Sequence, residues 1–328
     1  MKAAVHNAYG APEVIKIIDV DRPEPKAGEV LVKIHAATVS SGDARLRAFD
    51  IPKPYRLIGR LIFGITRPRK PVLGYDFAGT VAALGAGATR FKVGDAVFGS
   101  HGFGSHAEYK CVPEKKAITH MPEGMRFEEA AAIPFGGLTA RSFWRQGKLE
   151  AGHKVLVIGA SGAVGSAAVQ LAHNAGAHVT AVCSAANAEL VSRLGADHVI
   201  DYNSEDFTKG SDRYDIIFDT VGAVSFAEGR KALTPDGVFM AAIAGKGDTG
   251  AGFKAKFNSK QRLIAGSYPE TLEDIEALRD MAAAGDYVAV IDHEYRFDQI
   301  VEAHHRVDSK RKRGNVVLSM IPKLAIAA

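Results

Sequence analysis

Residues 154–172, KVLVIGASGAVGSAAVQLA, decide how this chain is read: an apolar run stops at a glycine cluster and a helical pattern starts directly behind it. Val155, Leu156, Val157 and Ile158 form the continuous aliphatic run expected of a strand buried on both faces of a parallel sheet. Gly159 then opens a tight turn. Gly162 carries no side chain where the backbone must approach a pyrophosphate, and Gly165 lets the following helix lie close against the strand. Backbone N–H groups at the start of that helix, at its positive dipole end, supply an anion site. The spacing departs from the common Gly-x-Gly-x-x-Gly fingerprint. It runs Ala160-x-Gly162-x-x-Gly165, with Gly159 as an additional glycine just before it. Such a turn can also serve only to join a strand to a helix, but its flanks of buried strand and apolar helix favour a dinucleotide. The cofactor-binding candidates here are Gly159, Ser161, Gly162, Ala163, Val164 and Gly165.

Outward from the loop, the chain continues as βαβ units. Ala167, Ala168, Leu171 and Ala172 give a helical face of small residues, Gly176 ends the helix, and His178–Cys183 makes a second strand. Further strands are expected at His198–Ile200, Tyr214–Asp219, Val238–Ile243 and Arg262–Ala265, with helical or loop segments between them. This alternation predicts an α/β domain built on a doubly wound parallel sheet.

The end of the second strand bears on which nicotinamide cofactor fits. A carboxylate there accepts bonds from a free ribose 2′-hydroxyl and repels a 2′-phosphate. Cys183, Ser184, Ala185, Ala186 and Asn187 offer none, and the first acid, Glu189, lies in the next helix. NADPH is therefore expected over NADH. No arginine or lysine stands there either, so the phosphate would be held by Ser184, Asn187, Tyr202 or a basic group from elsewhere. The run Lys310–Arg313 is one source, with Arg313 as the candidate; a solvated surface cluster is its plain alternative.

At 328 residues the chain has room for two domains, and 47% hydrophobic with 24% charged residues describes an ordinary globular protein. A net charge of +4 gives no reason to expect a nucleic-acid partner. Two cysteines, Cys111 and Cys183, build neither a disulfide framework nor a cysteine-rich zinc site, which suits a reducing cytoplasm. The opening residues lack a signal-peptide layout, and no apolar run approaches the roughly 18 residues of a spanning helix, so no membrane insertion is expected.

Before about residue 125 the texture changes. Short β-rich runs such as Val30–Ile34 and Gly79–Ala83 are punctuated by Gly, Pro and Asp, as in an antiparallel or barrel-like domain. After the sheet, Thr271–Ala284 reads as a helix stopped by Gly285. A short apolar run at Val288–Ile291, a helix from Phe297 to Val307 and a strand at Val316–Met320 follow. These pieces are too few for a domain of their own and are expected to return to the first. The expected division is residues 1–125 completed by 285–328, and a nucleotide-binding domain over 126–284. Residues 52–71, PKPYRLIGRLIFGITRPRKP, stand apart by mixing apolar side chains with Arg56, Arg60, Arg67, Arg69 and Lys70. They read as a lid or pocket wall, as a basic surface helix with its apolar face packed down, or as a patch for an anionic surface.

Taken end to end, the chain resembles the zinc-free, quinone oxidoreductase-like branch of the medium-chain dehydrogenase/reductase superfamily. The resemblance rests on MKAAVHNAYGAPEVI at the start, Lys26–Ile34, LGYDFAG at 73–79, FKVGDAV at 91–97 and GSHAEY at 104–109. The GASGAVG loop, LGAD at 194–197, DTVG at 219–222 and RGNVV at 313–317 continue it. It implies a GroES-like (chaperonin-10-like) β-rich catalytic domain, a Rossmann domain, a nicotinamide cofactor and a homodimer. It also implies Thr139, Ala244 and Asn315 near the nicotinamide.

The departures bear on mechanism. Zinc alcohol dehydrogenases of the superfamily place a cysteine ligand where this chain has Val39-Ser40-Ser41-Gly42-Asp43, and a His-Glu pair where it has Tyr75-Asp76. Their four-cysteine lobe has no counterpart, and the twelve histidines show no ligand grouping, so no metal is expected. His304 and His305, adjacent on a helix, point in different directions. Without a Lewis acid, hydride transfer to a quinone or enone is less demanding than oxidation of a simple alcohol. The expected reaction is thus NADPH-dependent, metal-independent reduction of a small quinone or α,β-unsaturated carbonyl compound. Ser40 and Asp43 match a family Asn-Pro-x-Asp motif near the reaction centre, with Ser40 in place of the asparagine. Asp43 is a catalytic candidate whose alternative is a turn cap or a partner of Arg47. Tyr55 is a candidate proton donor whose alternative is aromatic packing. Competing readings are a zinc-free alcohol dehydrogenase or aldehyde reductase, and a non-catalytic dinucleotide- or RNA-binding module.

Overall fold

The structure, a computed structural model, describes residues 1–51, 55–243, 260–266 and 270–320. The chain forms two compact units. One comprises Met1–Phe135, Thr271–Asp280 and Ala289–Ala328; the other comprises Gly136–Glu270 and Met281–Val288.

The first unit is β-rich. Strands β1 (Lys2–His6) and β2 (Ile15–Asp19) pair antiparallel, and β3 (Glu29–Val39) is the long central strand of a larger sheet. Helices α1 (Ser41–Ala48) and α2 (Arg56–Phe63) follow, then β4 (Asp76–Leu84), β5 (Ala96–Ser100), β6 (Tyr109–Pro113) and β7 (Ile118–His120). β3 pairs antiparallel with β4 and also with β6, while β4 pairs with β5 and β5 with β7. Val30, Val32, Ile34, Phe77, Val81, Val97 and Ile118 fill the core between them. The short helix α3 (Phe127–Ala131) packs on β3 and β4, so residues 126–135 lie with this unit, beyond the expected boundary at 125.

The second unit begins with α4 (Pro134–Gly147) and is organised by one parallel sheet. Its elements are β8 (Lys154–Ile158), α5 (Ala163–Asn174), β9 (His178–Cys183), α6 (Ala188–Arg193), β10 (His198–Asp201), β11 (Tyr214–Asp219), α7 (Phe226–Gly229), β12 (Leu233–Ala241) and β13 (Arg262–Ala265). The order β10-β9-β8-β11-β12-β13 is the 3-2-1-4-5-6 arrangement of dinucleotide-binding sheets. All five neighbouring pairs are parallel. Val155, Leu156 and Val157 are fully buried, which explains an aliphatic run without alternation. Trp144, on α4, lies edge-on to Phe218 of β11 and donates from Nε1 to the Ala168 carbonyl at 3.2 Å.

Helix α8 (Leu272–Ala284) leads to the last elements, β14 (Ile291–Arg296), α9 (Ile300–Asp308) and β15 (Asn315–Ser319). β15 pairs antiparallel with β3 and parallel with β14, which returns this segment to the first sheet. The expected apolar run 288–291 is not itself a strand. The strand is the mostly polar IDHEYR that begins at its end, an edge strand bonded only to β15, where polar side chains are tolerated. Among the described residues no helix is long and apolar enough to cross a membrane.

Candidate dinucleotide site

β8 lies where the strand order reverses, with β9 on one side and β11 on the other, so the turn after it opens at the crevice where such sheets take ligands. Gly159 adopts φ +77°, and its N–H and that of Ala160 both donate to the Val182 carbonyl at 3.1 Å. Gly162 is the N-cap of α5 and gives it no side-chain cap. The first-turn N–H groups of Ala163, Val164 and Gly165 therefore have neither an intrahelical acceptor nor a capping oxygen.

The glycines of this turn differ in purpose. A Cβ added at Gly165 would lie 2.1 Å from the Gly159 carbonyl oxygen, so its bareness lets helix and turn touch. A Cβ at Gly162 would meet only that same oxygen, at 3.4 Å, and otherwise point into open space. Open space before a helix start whose first donors lack a cap suits an anion such as a pyrophosphate, which a side chain there would obstruct. α4 crosses close by, since a Cβ at Gly136 would sit 2.3 Å from the Ala163 carbonyl oxygen. Half-buried Thr139 lies one turn further along that helix.

The opposite wall comes from β11. Buried Asp219 accepts from the N–H groups of Val221 at 2.9 Å, Gly222 at 2.8 Å and Val224 at 3.1 Å. Burial pushes its carboxyl upward, against the pull of these bonds. Thr220 Oγ1 donates to the Ile158 carbonyl at 2.8 Å, and the side chains of Thr220 and Val221 stand beside Gly159. The sequence reading did not single these residues out as site residues. The signal was present, because Asp219-Thr220-Val221-Gly222 ends the parallel strand next to β8.

Beyond β9, Ser161, Ser184 and Asn187 come together. Asn187 Nδ2 donates to Ser161 Oγ at 3.0 Å and Ser184 Oγ at 3.2 Å. Each hydroxyl thus has its oxygen engaged and, among the described residues, its own hydrogen without an acceptor. Asn187 Oδ1 is buried without a hydrogen-bond partner among the described residues. Exposed Tyr202 is held beside Ser184 by its N–H, which donates to the Cys183 carbonyl at 3.2 Å. One acid reaches this corner from the neighbouring strand: Asp201 pairs in register with Cys183. Its Oδ1 is taken by Asn203, from N at 3.1 Å and Nδ2 at 2.8 Å. Burial first, and Asp201 after it, pushes the Cys183 thiol up to about 11, which leaves it unreactive at neutral pH.

Ser40, Asp43, Tyr55, Arg313 and Asn315 belong to the other compact unit. Ser40 and Asp43 form a capping box at the start of α1. Asp43 Oδ2 accepts from Ser40 Oγ at 2.6 Å and Ser40 N at 2.9 Å, and Oδ1 accepts from Gly74 N at 2.9 Å. Both oxygens are thus committed, and the turn-cap alternative describes Asp43. Arg47 pairs instead with Asp308 at 2.7 Å and with the Gly10 carbonyl at 3.0 Å. Asn315, one residue before the Val316–Val39 pair, comes to the same strand end as Ser40 and donates from Nδ2 to the Val290 carbonyl at 3.1 Å. Exposed Tyr55 precedes α2, exposed Arg313 donates from its backbone to Asp292 at 2.8 Å, and Ala244 lies outside the described residues.

Among the described residues no three His, Cys, Asp or Glu side chains are grouped to hold a metal ion. His304 is fully buried, and among the described residues neither ring nitrogen has a hydrogen-bond partner, whereas His305 meets Glu13 at 2.7 Å on the surface. Burial, and after it the neighbouring His106 and Arg47, holds the His304 imidazole well below the ordinary histidine range. Burial likewise lowers His6 and His106, against an opposing pull from Asp43.

Comparison with known proteins agrees with this architecture. Residues 26–123 match the alcohol dehydrogenase GroES-like domain, and residues 194–318 match the zinc-binding dehydrogenase family. A 2-methylene-furan-3-one reductase of Solanum lycopersicum is 32% identical over 98% of this chain and 80% of its own length. This chain belongs to the quinone oxidoreductase branch of the medium-chain dehydrogenase/reductase superfamily. Within that family, a chloroplastic NADPH-dependent alkenal/one oxidoreductase of Arabidopsis thaliana is also 32% identical, over 98% of this chain and 80% of its own. The solved quinone oxidoreductase of Coxiella burnetii superposes with a TM-score of 0.86 at 27% identity, over 98% of this chain and 99% of that one.

Proposed function

We propose that this chain is an NADPH-dependent oxidoreductase that transfers hydride to quinones or α,β-unsaturated carbonyl compounds without a metal ion. The observation that carries the reading is the open helix start at Gly162, set at the strand-order reversal of a dinucleotide-binding sheet. The names of the family relatives, enone reductases and quinone oxidoreductases, supply the acceptor class.

A reduced nicotinamide, when bound, supplies the hydride. The chain's own task is binding and orientation. The N–H groups of Ala163, Val164 and Gly165 take the pyrophosphate. The free hydroxyl hydrogens of Ser161 and Ser184, with the Tyr202 hydroxyl, take the 2′-phosphate, and Asn187 holds the two serines in place. Ser184 occupies the strand end where a carboxylate would repel that phosphate. Arg313 is a further phosphate candidate. Thr139, Ala244 and Asn315 are assigned to the nicotinamide end.

Ser40 and Asp43 act as positioning residues that fix the strand end carrying Asn315. A conjugated acceptor spreads the developing negative charge over its own π system, which removes the need for a Lewis acid. The compensating proton comes from solvent or from a hydroxyl, with Tyr55 the exposed candidate. A cytoplasmic homodimer completes the reading, and light scattering tests its assembly.

The deciding experiment is steady-state NADPH consumption with a panel of quinones, enones, simple aldehydes and alcohols. Turnover of the conjugated acceptors and not of the others is expected. Complete inactivity with tight NADPH binding would sink the proposal, and turnover confined to alcohols and aldehydes would replace it.

A further inference from the structure

Helix α2 is turned the opposite way from an ordinary surface helix. Leu57, Ile58, Leu61 and Ile62 fall on one stripe, and each is 53–75% exposed. Ile65, just past the helix, adds a fifth at 63%. The other face is held to the protein by a glycine and an arginine. Gly59 is the buried residue of the helix, and a Cβ there would lie 2.6 Å from Ile51 Cδ1. The Arg60 guanidinium lies 3.9 Å from the Phe49 ring centre and 4.7 Å from that of Tyr9, and Nη1 donates to the Ile65 carbonyl at 2.8 Å. A stable fold normally buries the aliphatic stripe and exposes the arginine, so this arrangement keeps apolar surface facing out.

The charge around the stripe identifies what it meets. Between Asp50 and Asp76 the sequence has six basic residues and no acidic one. Arg56, Arg67, Arg69 and Lys70 are exposed in the structure. A second copy of this chain would bring the same positive patch against itself if the face were self-complementary, which opposes association. An anionic bilayer offers both an apolar interior for the stripe and negative headgroups for the rim. We propose that α2 and the basic turn after it form a peripheral docking surface for anionic lipid membranes, entering the headgroup region without crossing it. This does not rest on the reductase reading.

Flotation of the full chain with phosphatidylcholine vesicles containing about one-third phosphatidylglycerol tests it, with pure phosphatidylcholine as control, at about 0.1 M salt. Binding to the anionic vesicles alone is expected. The surface variants Leu61→Ser/Ile62→Ser and Arg67→Glu/Lys70→Glu are each expected to weaken binding by about tenfold or more, with unchanged thermal unfolding. No binding to anionic vesicles, or binding indifferent to both variants, overturns the proposal. Two further results also overturn it: conversion of a dimer to a monomer by Leu61→Ser/Ile62→Ser assigns the face to a second copy, and loss of turnover on a water-soluble quinone with vesicle binding intact assigns it to the substrate pocket.

Discussion

Two helix starts in this molecule are built from opposite choices. α1 begins at Ser40 inside a capping box, where the serine and Asp43 satisfy each other's groups and the second carboxylate oxygen takes the Gly74 N–H. α5 begins at Gly162 with no side-chain cap and with open space in front of its first turn. The capped start meets two of its orphan donors from within, at Ser40 and Asp43, and serves stability. The uncapped start leaves three N–H groups waiting for an acceptor from outside the chain, which is what an anion-binding site requires. The same element of secondary structure is therefore a joint in one unit and, in the proposed function, a receptor in the other.

The contrast is open to attack at several points, beginning within the glycine turn. Gly165→Val should destabilise the protein by about 3 kcal/mol or more in urea unfolding, because the new Cβ would run into the Gly159 carbonyl. Gly162→Val should leave stability within about 1 kcal/mol while NADPH affinity falls by about 100-fold in calorimetry. Undiminished affinity would show that the open start is not the receptor.

At the closed start, Asp43→Ala should lower stability by about 2 kcal/mol, since it strips the cap and leaves buried N–H groups of Ser40 and Gly74 unmet. A collapse of kcat with stability unchanged would instead make Asp43 a catalytic residue. Ser184→Asp sharpens the receptor side: NADPH binding should weaken relative to NADH by about tenfold, or ~1.4 kcal/mol. A preference for NADH in the unaltered protein would break the argument from the missing acid.

A further effect is expected in acid. His304, His6 and His106 are held neutral in the fold, so the unfolded chain takes up protons below about pH 6.5 that the folded chain refuses. Their contribution to stability is complete above that pH and declines as the pH falls beneath it. Each group adds up to about 1.4 kcal/mol per pH unit. His304→Leu should flatten the acid limb of a stability profile while leaving its neutral plateau the same shape; an unchanged acid slope would remove His304 from the linkage.

Much of the parallel sheet was legible because its inner strands are buried on both faces. The runs 178–183 and 214–219 could be bounded to the residue by hydrophobicity alone. β14 was not, because an edge strand bonded on one side keeps polar residues, and its neighbour Val288–Ile291 looked more like a strand than it did. The glycine turn was legible because its constraint is local. Thr220 and Val221 were missed because they reach Gly159 only through the β8–β11 pairing, some 60 residues distant in the chain. Asp201 escaped notice for the same reason, since register alone brings it beside Cys183. For Asp43 the sequence left three uses open; the cap is local, made with Ser40, whereas the bond from Gly74, 31 residues on, could not be read from the sequence.

Trp144 is the chain's single tryptophan, shut in the parallel-sheet unit against Phe218. Indole fluorescence therefore listens to that unit alone, while circular dichroism hears both. A denaturation curve followed by emission and by ellipticity together will separate into two transitions if the units melt independently, with no label attached and no residue changed.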